Sequence, residues 1–228
     1  MISPPAAIEP KLRELLRVFL QMNASINLSA MRTEESCWVG NILDSLALLE
    51  ILPAVAPAHP KSCLIDVGTG GGFPLLPLAI ALPEWRCVGV DAVAKKIRAV
   101  ETMTGALSLL NVAVRSGRTE DLGRDRTYRD RFDVVTARAV APLRILLEYC
   151  APFARQGGYI VLWKSLNIDQ ELQSSKHAQE VLCCPWRSSH RYTLPGNAGE
   201  RCLLVFRKEG STPAGYPRPV GIAKKKPL

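Results

Sequence analysis

The chain has 228 residues, of which 47% are hydrophobic and 22% charged, with a net charge of +8. That much apolar material supplies one sizeable core, which excludes disorder as the starting expectation. The longest apolar run, Phe73 to Leu82, is cut off by Pro83 and Glu84, short of the roughly 20 residues a membrane span needs; Met1 to Pro10 lacks the basic-then-apolar order of a secretion signal, so a cytoplasmic protein with no membrane contact is expected.

Leu12, Leu15, Leu16, Phe19 and Leu20 recur at helical spacing, and a second apolar-periodic run extends from about Glu35 to Leu52. Pro53, Pro57 and Pro60 then mark a connector. Beyond it, Cys63 to Val67, Cys87 to Val90, Val112 to Val114, Phe132 to Thr136 and Tyr159 to Trp163 read as strands, alternating with helical runs Leu75 to Leu82, Ala94 to Leu109 and Leu143 to Ala154. This alternation predicts an α/β fold, a doubly wound and mostly parallel sheet with helices on both faces. The basic stretch Arg115 to Arg131 is interleaved with Glu120, Asp121, Asp125 and Asp130 and is read mainly as a solvated loop. Asp169 to Glu180 could form one more helix, and runs around Arg191 to Leu194 and Cys202 to Phe206 could pair as an antiparallel edge. The expected division is a helical extension over 1–60, the α/β domain over 61–208, and a basic tail over 209–228.

Seven cysteines make an odd count without a C-x-x-C pair, and His59, His177 and His190 lie far apart. The cysteines are read as small core residues in a reducing compartment, and no metal site is expected. Six basic residues from Arg207 onward face one acid, Glu209, so this segment carries about five of the eight net charges. A polyanionic partner such as RNA fits that asymmetry. A merely solvated tail fits it as well.

The strongest local signal is Leu64-Ile65-Asp66-Val67-Gly68-Thr69-Gly70-Gly71-Gly72-Phe73-Pro74, an apolar strand running into a glycine loop and then a helix. Ligands of open α/β sheets bind at this carboxyl end of the strands, and glycine lets a ligand approach where a Cβ would collide. A tight turn without a ligand is the alternative. Phe73 stands where a dinucleotide fingerprint needs its third glycine, and no G-x-x-x-x-G-K-[ST] loop exists. The spacing therefore suits a nucleoside without phosphates, and S-adenosylmethionine is such a ligand. Asp91 closes the next strand nineteen residues after Gly72, where a carboxylate can accept from both ribose hydroxyls or simply cap the helix that follows. Arg115 to Glu120 and Arg138 close the third and fourth strands at the same sheet edge, where adenine would rest.

Asn27-Leu28-Ser29-Ala30, Ile42-Leu43-Asp44-Ser45-Leu46, Gly72-Phe73-Pro74, Thr136-Ala137-Arg138-Ala139 and Tyr216-Pro217-Arg218 together resemble the RsmG (GidB) family of bacterial small-subunit ribosomal RNA guanine-N7 methyltransferases, over nearly the whole chain. The resemblance implies a Rossmann-like methyltransferase fold and S-adenosylmethionine as cofactor. It implies cofactor contacts at Gly68, Phe73, Thr119, Glu120 and Arg138, beside Gly70 of the loop and Asp91 as ribose partner. The implied partner is 16S ribosomal RNA or an assembling small subunit, met by a monomer. Gly40-Asn41 stands where the family usually has Arg-His, and Ala223 where a proline is common.

Guanine N7 carries a free lone pair and sheds no proton on methylation, so no general base is required, in keeping with the absence of histidine from these motifs. Positive charge leaves the sulfur during transfer, so Arg138 is expected to hold a methionine carboxylate or an RNA phosphate rather than to catalyse. The deep, narrow groove of A-form RNA hides N7, so the target guanine should lie in a loop or be turned out of its stack.

Overall fold

The computed structural model describes residues 2–55, 61–138, 141–166 and 168–228. Pro57 and Pro60 of the expected connector, and Ala139, lie outside them. Seven strands form one sheet in the order β3-β2-β1-β4-β5-β7-β6. These are β1 (Cys63–Val67), β2 (Arg86–Asp91), β3 (Val112–Ser116), β4 (Phe132–Arg138), β5 (Ala154–Lys164), β6 (Trp186–Thr193) and β7 (Glu200–Arg207). The first five pair in parallel; β7 runs antiparallel to β5 and to β6, the edge foreseen from the last two apolar runs.

Alternation along each strand decides which face each side chain joins. Leu64, Val134 and Val161 enter the core on one face with the amino-terminal helices and the helices Leu75–Ala81 and Ala94–Ala106. Ile65, Val135 and Ile160 enter the other, with the Leu143–Cys150 helix and the final segment. Leu12, Leu15, Leu16 and Phe19 of the Glu9–Ile26 helix are buried in the first core, each such side chain contributing about 1.5–3 kcal/mol. The helical extension is thus packed into the same core as the sheet.

The second apolar run forms a longer helix than its periodicity suggested, Glu34–Val55, with Pro53 inside it. It starts at a capping box, where Thr33 Oγ1 accepts from Ser36 N at 3.2 Å. A π-helical stretch, Trp38–Leu43, re-aims the backbone around Gly40 and Asn41. By length and composition this helix could cross a membrane, contrary to the expectation that no segment could. More than half of that apolar window is buried in protein.

Three further expectations need correction. The helix expected to run to Ala154 ends at Cys150, and Ala154 instead opens β5 opposite Phe132. The single helix over Asp169 to Glu180 is two short ones, Asp169–Ser174 and Lys176–Val181, broken at buried Ser175, whose hydroxyl donates to Leu172 O at 2.9 Å. The stretch Arg115 to Arg131 is no merely solvated loop. Arg129 donates from Nη1 to Tyr216 O at 2.8 Å and from Nη2 to Thr212 O at 2.7 Å, binding the final segment to the domain.

Candidate active site

The order of the parallel strands reverses between β1 and β4, since β2 and β3 lie on one side of β1 and β5 beyond β4. A cleft of about 570 Å³ opens at the carboxyl ends of these strands, where open α/β sheets bind ligands. All seven residues singled out from sequence line it: Gly68, Gly70, Phe73, Asp91, Thr119, Glu120 and Arg138. Arg118, from the stretch expected beside adenine, lines it too, as do Thr69, Lys96, Tyr149, Val220 and Lys224, none of which sequence reasoning named as a cofactor contact.

The glycine loop is shaped as a cradle. Gly70 holds φ +58°, and a Cβ placed there would meet only Gly68 O at 3.8 Å before entering the cleft. Space that a side chain would fill is left open, as a ligand held by backbone requires. Asp91 ties the loop to the next strand: its Oδ2 accepts from Gly70 N at 3.0 Å, and its Oδ1 from Val93 N at 2.8 Å. The helix-bracing reading of Asp91 is thus seen directly. The carboxylate braces the start of the following helix, and each oxygen keeps a lone pair for a further donor.

Beneath the loop, Asp66 is 1% exposed and accepts from Thr136 Oγ1 at 2.9 Å. Burial raises its carboxyl from 3.8 to about 6, opposed by the neighbouring hydroxyls of Thr69 and Thr136 and by the charge of Arg138. At the far side, Glu120 is buried and accepts from Gly221 N at 3.1 Å. Burial and the adjacent charges of Glu120 and Glu148 push the Tyr149 hydroxyl up to about 12.

Arg138 lines the cleft, but much of its donor capacity faces the amino-terminal helices. Nη1 donates to Gly40 O at 2.8 Å and to Asp44 Oδ2 at 2.9 Å, using both its protons, while Nη2 donates to Asn41 Oδ1 at 3.0 Å. Its ion pair with Asp44 is enclosed rather than on the surface. Gly40-Asn41, the departure from the usual Arg-His, thus accepts from the arginine instead of adding another cation. Phe73 packs edge-on against Phe19 at 4.8 Å between ring centroids, so it supports the Glu9–Ile26 helix as well as lining the cleft.

Asn23, missed from sequence, explains the Asn27 to Ala30 run. Its Oδ1 accepts from Ser29 N and its Nδ2 donates to Met31 O, both at 2.8 Å, which places Leu28 and Ser29 on the cleft wall. All seven cysteines are free, and burial raises the thiols of Cys37, Cys87, Cys150, Cys184 and Cys202. They are packing residues.

Comparison with known proteins decides what this cleft belongs to. The family model described as rRNA small subunit methyltransferase G matches residues 8–188. The chain belongs to that family. It is 39% identical over 212 residues to ribosomal RNA small subunit methyltransferase G of Carboxydothermus hydrogenoformans, covering 93% of this chain and 88% of the relative. The Leuconostoc citreum protein of the same name is 37% identical over 223 residues, covering 96% and 92%. Among solved structures, the O-methyltransferase of Bacillus cereus in complex with SAH superposes with a TM-score of 0.58 at 20% identity, over 86% of this chain and 91% of that one. The 16S rRNA (adenine(1408)-N(1))-methyltransferase of Catenulisporales acidiphilia gives 0.54 at 18% identity, over 66% and 89%. At those identities the likeness is one of fold. The sheet is that of the S-adenosylmethionine-dependent methyltransferases.

Proposed function

We propose that this chain transfers the methyl group of S-adenosylmethionine to N7 of a guanine in 16S ribosomal RNA, as free RNA or within an assembling small subunit. The observation that carries this reading is the open cradle at Gly70 in a chain of this family, with Asp91 and Glu120 set along the same cleft. When bound, the cofactor supplies an electrophilic methyl group on a sulfonium. Gly68 and Gly70 would hold its centre against backbone, Asp91 its ribose hydroxyls, and Thr119 with Glu120 its base.

A second cavity of about 440 Å³ shares Ser29, Asn41 and Arg138 with the cleft and is lined by Lys164 and Arg201 as well. The acceptor nucleotide enters there, its phosphates facing the cations and its N7 turned toward the shared wall. Lys164 is held meanwhile by Glu171 at 2.6 Å and by Ala141 O at 3.2 Å. The protein acts by positioning, which is worth roughly 7–11 kcal/mol in favourable cases. N7 needs no base to attack.

A nicotinamide-linked oxidoreductase and a non-catalytic RNA-binding protein are the other uses of such a sheet, and the family membership favours neither. Calorimetry with S-adenosylhomocysteine, set beside fluorescence titration with NADH, separates the three. Saturable binding of S-adenosylhomocysteine alone is expected. Binding of NADH alone, or of neither, would remove the proposed reaction.

A further inference from the structure

The last residues, which by charge alone read as a basic tail, fold back onto the domain and reach the cleft. Their anchor is Glu148, a fully buried acid on the Leu143–Cys150 helix. Arg218 meets it four ways: its backbone N and Nε donate to Oε1 at 2.8 and 3.0 Å, and Nε and Nη2 donate to Oε2 at 3.1 and 2.5 Å. A buried carboxylate without such a partner would be strongly unfavourable. The side chain of Arg218 is 22% exposed and that of Glu148 only 1%, so the contact is an enclosed latch rather than a surface pair. Arg129 and Arg124 add donors to carbonyls of Thr212, Gly215 and Tyr216 upstream.

From this latch the chain runs straight into the cleft. Gly221 N donates to Glu120 Oε1 at 3.1 Å, and Val220, Gly221 and Lys224 line the cavity. Ala223 is buried in the second core, which fixes the turn from below. Val220, in contrast, is 46% exposed, an apolar side chain left uncovered at the edge of the cleft. Its place along the sheet says what could cover it. The glycine loop follows β1 and Asp91 ends β2, opposite Ser116 of β3. A nucleoside whose ribose meets Asp91 therefore extends its base toward Thr119, Glu120 and Val220.

Resting on the cofactor reading above, we infer that the carboxy-terminal segment is part of the cofactor site: Val220 and Gly221 wall its adenine end, and Glu148 with Arg218 holds that wall in place. Val220 offers the flat apolar contact that a purine face prefers, while Glu148 and Arg218 are positioning residues that touch no ligand. The segment then serves two partners. Its exposed Lys225 and Lys226 are left for RNA, while the preceding turn closes on the cofactor.

The test is calorimetry with S-adenosylhomocysteine in the absence of RNA, on the full chain, on a chain lacking Pro219 to Leu228, and on the Val220→Ser and Lys225→Ala/Lys226→Ala variants. The truncation should weaken binding at least tenfold and Val220→Ser about threefold, with the double lysine variant unchanged. Because Val220 is exposed, its substitution keeps the question answerable even where the truncated chain folds poorly. Unchanged affinity in Val220→Ser overturns the inference, as does a loss in the double lysine variant equal to that in Val220→Ser, which would assign the effect to charge. A full-length chain that does not bind S-adenosylhomocysteine at all overturns the cofactor reading and the wall with it.

Discussion

Asp44 stands between Arg138 and Tyr192: its Oδ2 takes Arg138 Nη1 at 2.9 Å, and its Oδ1 takes the Tyr192 hydroxyl at 2.5 Å. Three distant parts of the chain meet at this carboxylate, the turn of the Glu34–Val55 helix that follows its π stretch, the end of β4 and the edge strand β6. Trp163 of β5 adds a fourth, donating from Nε1 to Asp44 O at 2.9 Å. Removing the carboxylate leaves an enclosed guanidinium without its counter-charge. Asp44→Ala should therefore cost about 3–5 kcal/mol in urea unfolding. Tyr192→Phe, which removes one hydrogen bond to a charged group, should cost about 1.5–3 kcal/mol. Equal, small losses would show that the network contributes little.

Asp66 makes stability depend on pH in a definite direction. Its folded carboxyl titrates near 6 against an ordinary 3.8, so the fold binds this proton more tightly than the unfolded chain does. Its contribution to stability falls as pH rises from about 4 to 6 and stays at its lowest above that window. Asp66→Asn keeps an acceptor for Thr136 and removes the buried charge. The variant should gain on the order of 3 kcal/mol over the parent near neutrality, with the gain shrinking toward pH 4. Melting both proteins across that range checks it; a difference independent of pH would contradict the assignment.

Gly70 separates folding from binding. With φ +58° and no atom but Gly68 O near its added Cβ, Gly70→Ala should cost only about 1–2 kcal/mol of stability from backbone strain. Its methyl group enters the cleft, so affinity for S-adenosylhomocysteine should fall at least tenfold. A variant that binds like the parent would place the ligand elsewhere.

The strands and the glycine loop were legible because period and turn chemistry are local. Cys63 to Val67 was read to the residue, and Asp91 from its place at a strand end. The partners were not legible, because they lie far off in sequence. Arg138 finds Asp44 at a separation of 94 residues and Arg218 finds Glu148 at 70. A signal for the second pair existed: Glu148 interrupts an apolar helical run, and an acid on a buried face requires a cation from somewhere. The π turn at Trp38–Leu43 left no trace in the periodicity, since every residue from Asn41 to Leu48 is buried and so broad an apolar surface hides a change of phase. The final segment read as a free basic tail because charge was counted over 22 residues, whereas Tyr216, Arg218 and Ala223 among them are what dock it.

The chemistry of N7 predicts a flat pH profile. Its lone pair is free near neutrality, and methylation releases no proton from the ring. With enzyme, RNA and cofactor saturating, the single-turnover rate should vary little between about pH 7 and 8.5, where a positioned base would impose a titration. Staying above 7 keeps Asp66 ionised throughout. A tenfold rise per pH unit in that window, with RNA structure constant, would point to a required deprotonation and so to an amine or hydroxyl acceptor.

The most direct measurement joins transfer to position. Small subunits and naked 16S RNA from cells lacking this protein would be incubated with the chain and with S-adenosylmethionine labelled in its methyl group, and the RNA then cleaved by chemistry that cuts at 7-methylguanine. Label should enter the 16S RNA of at least one of these substrates, and one new scission site should appear in step with it. Label without any new scission would mean that the acceptor atom is not N7, and a chain that incorporates none into either substrate would contradict the reaction itself.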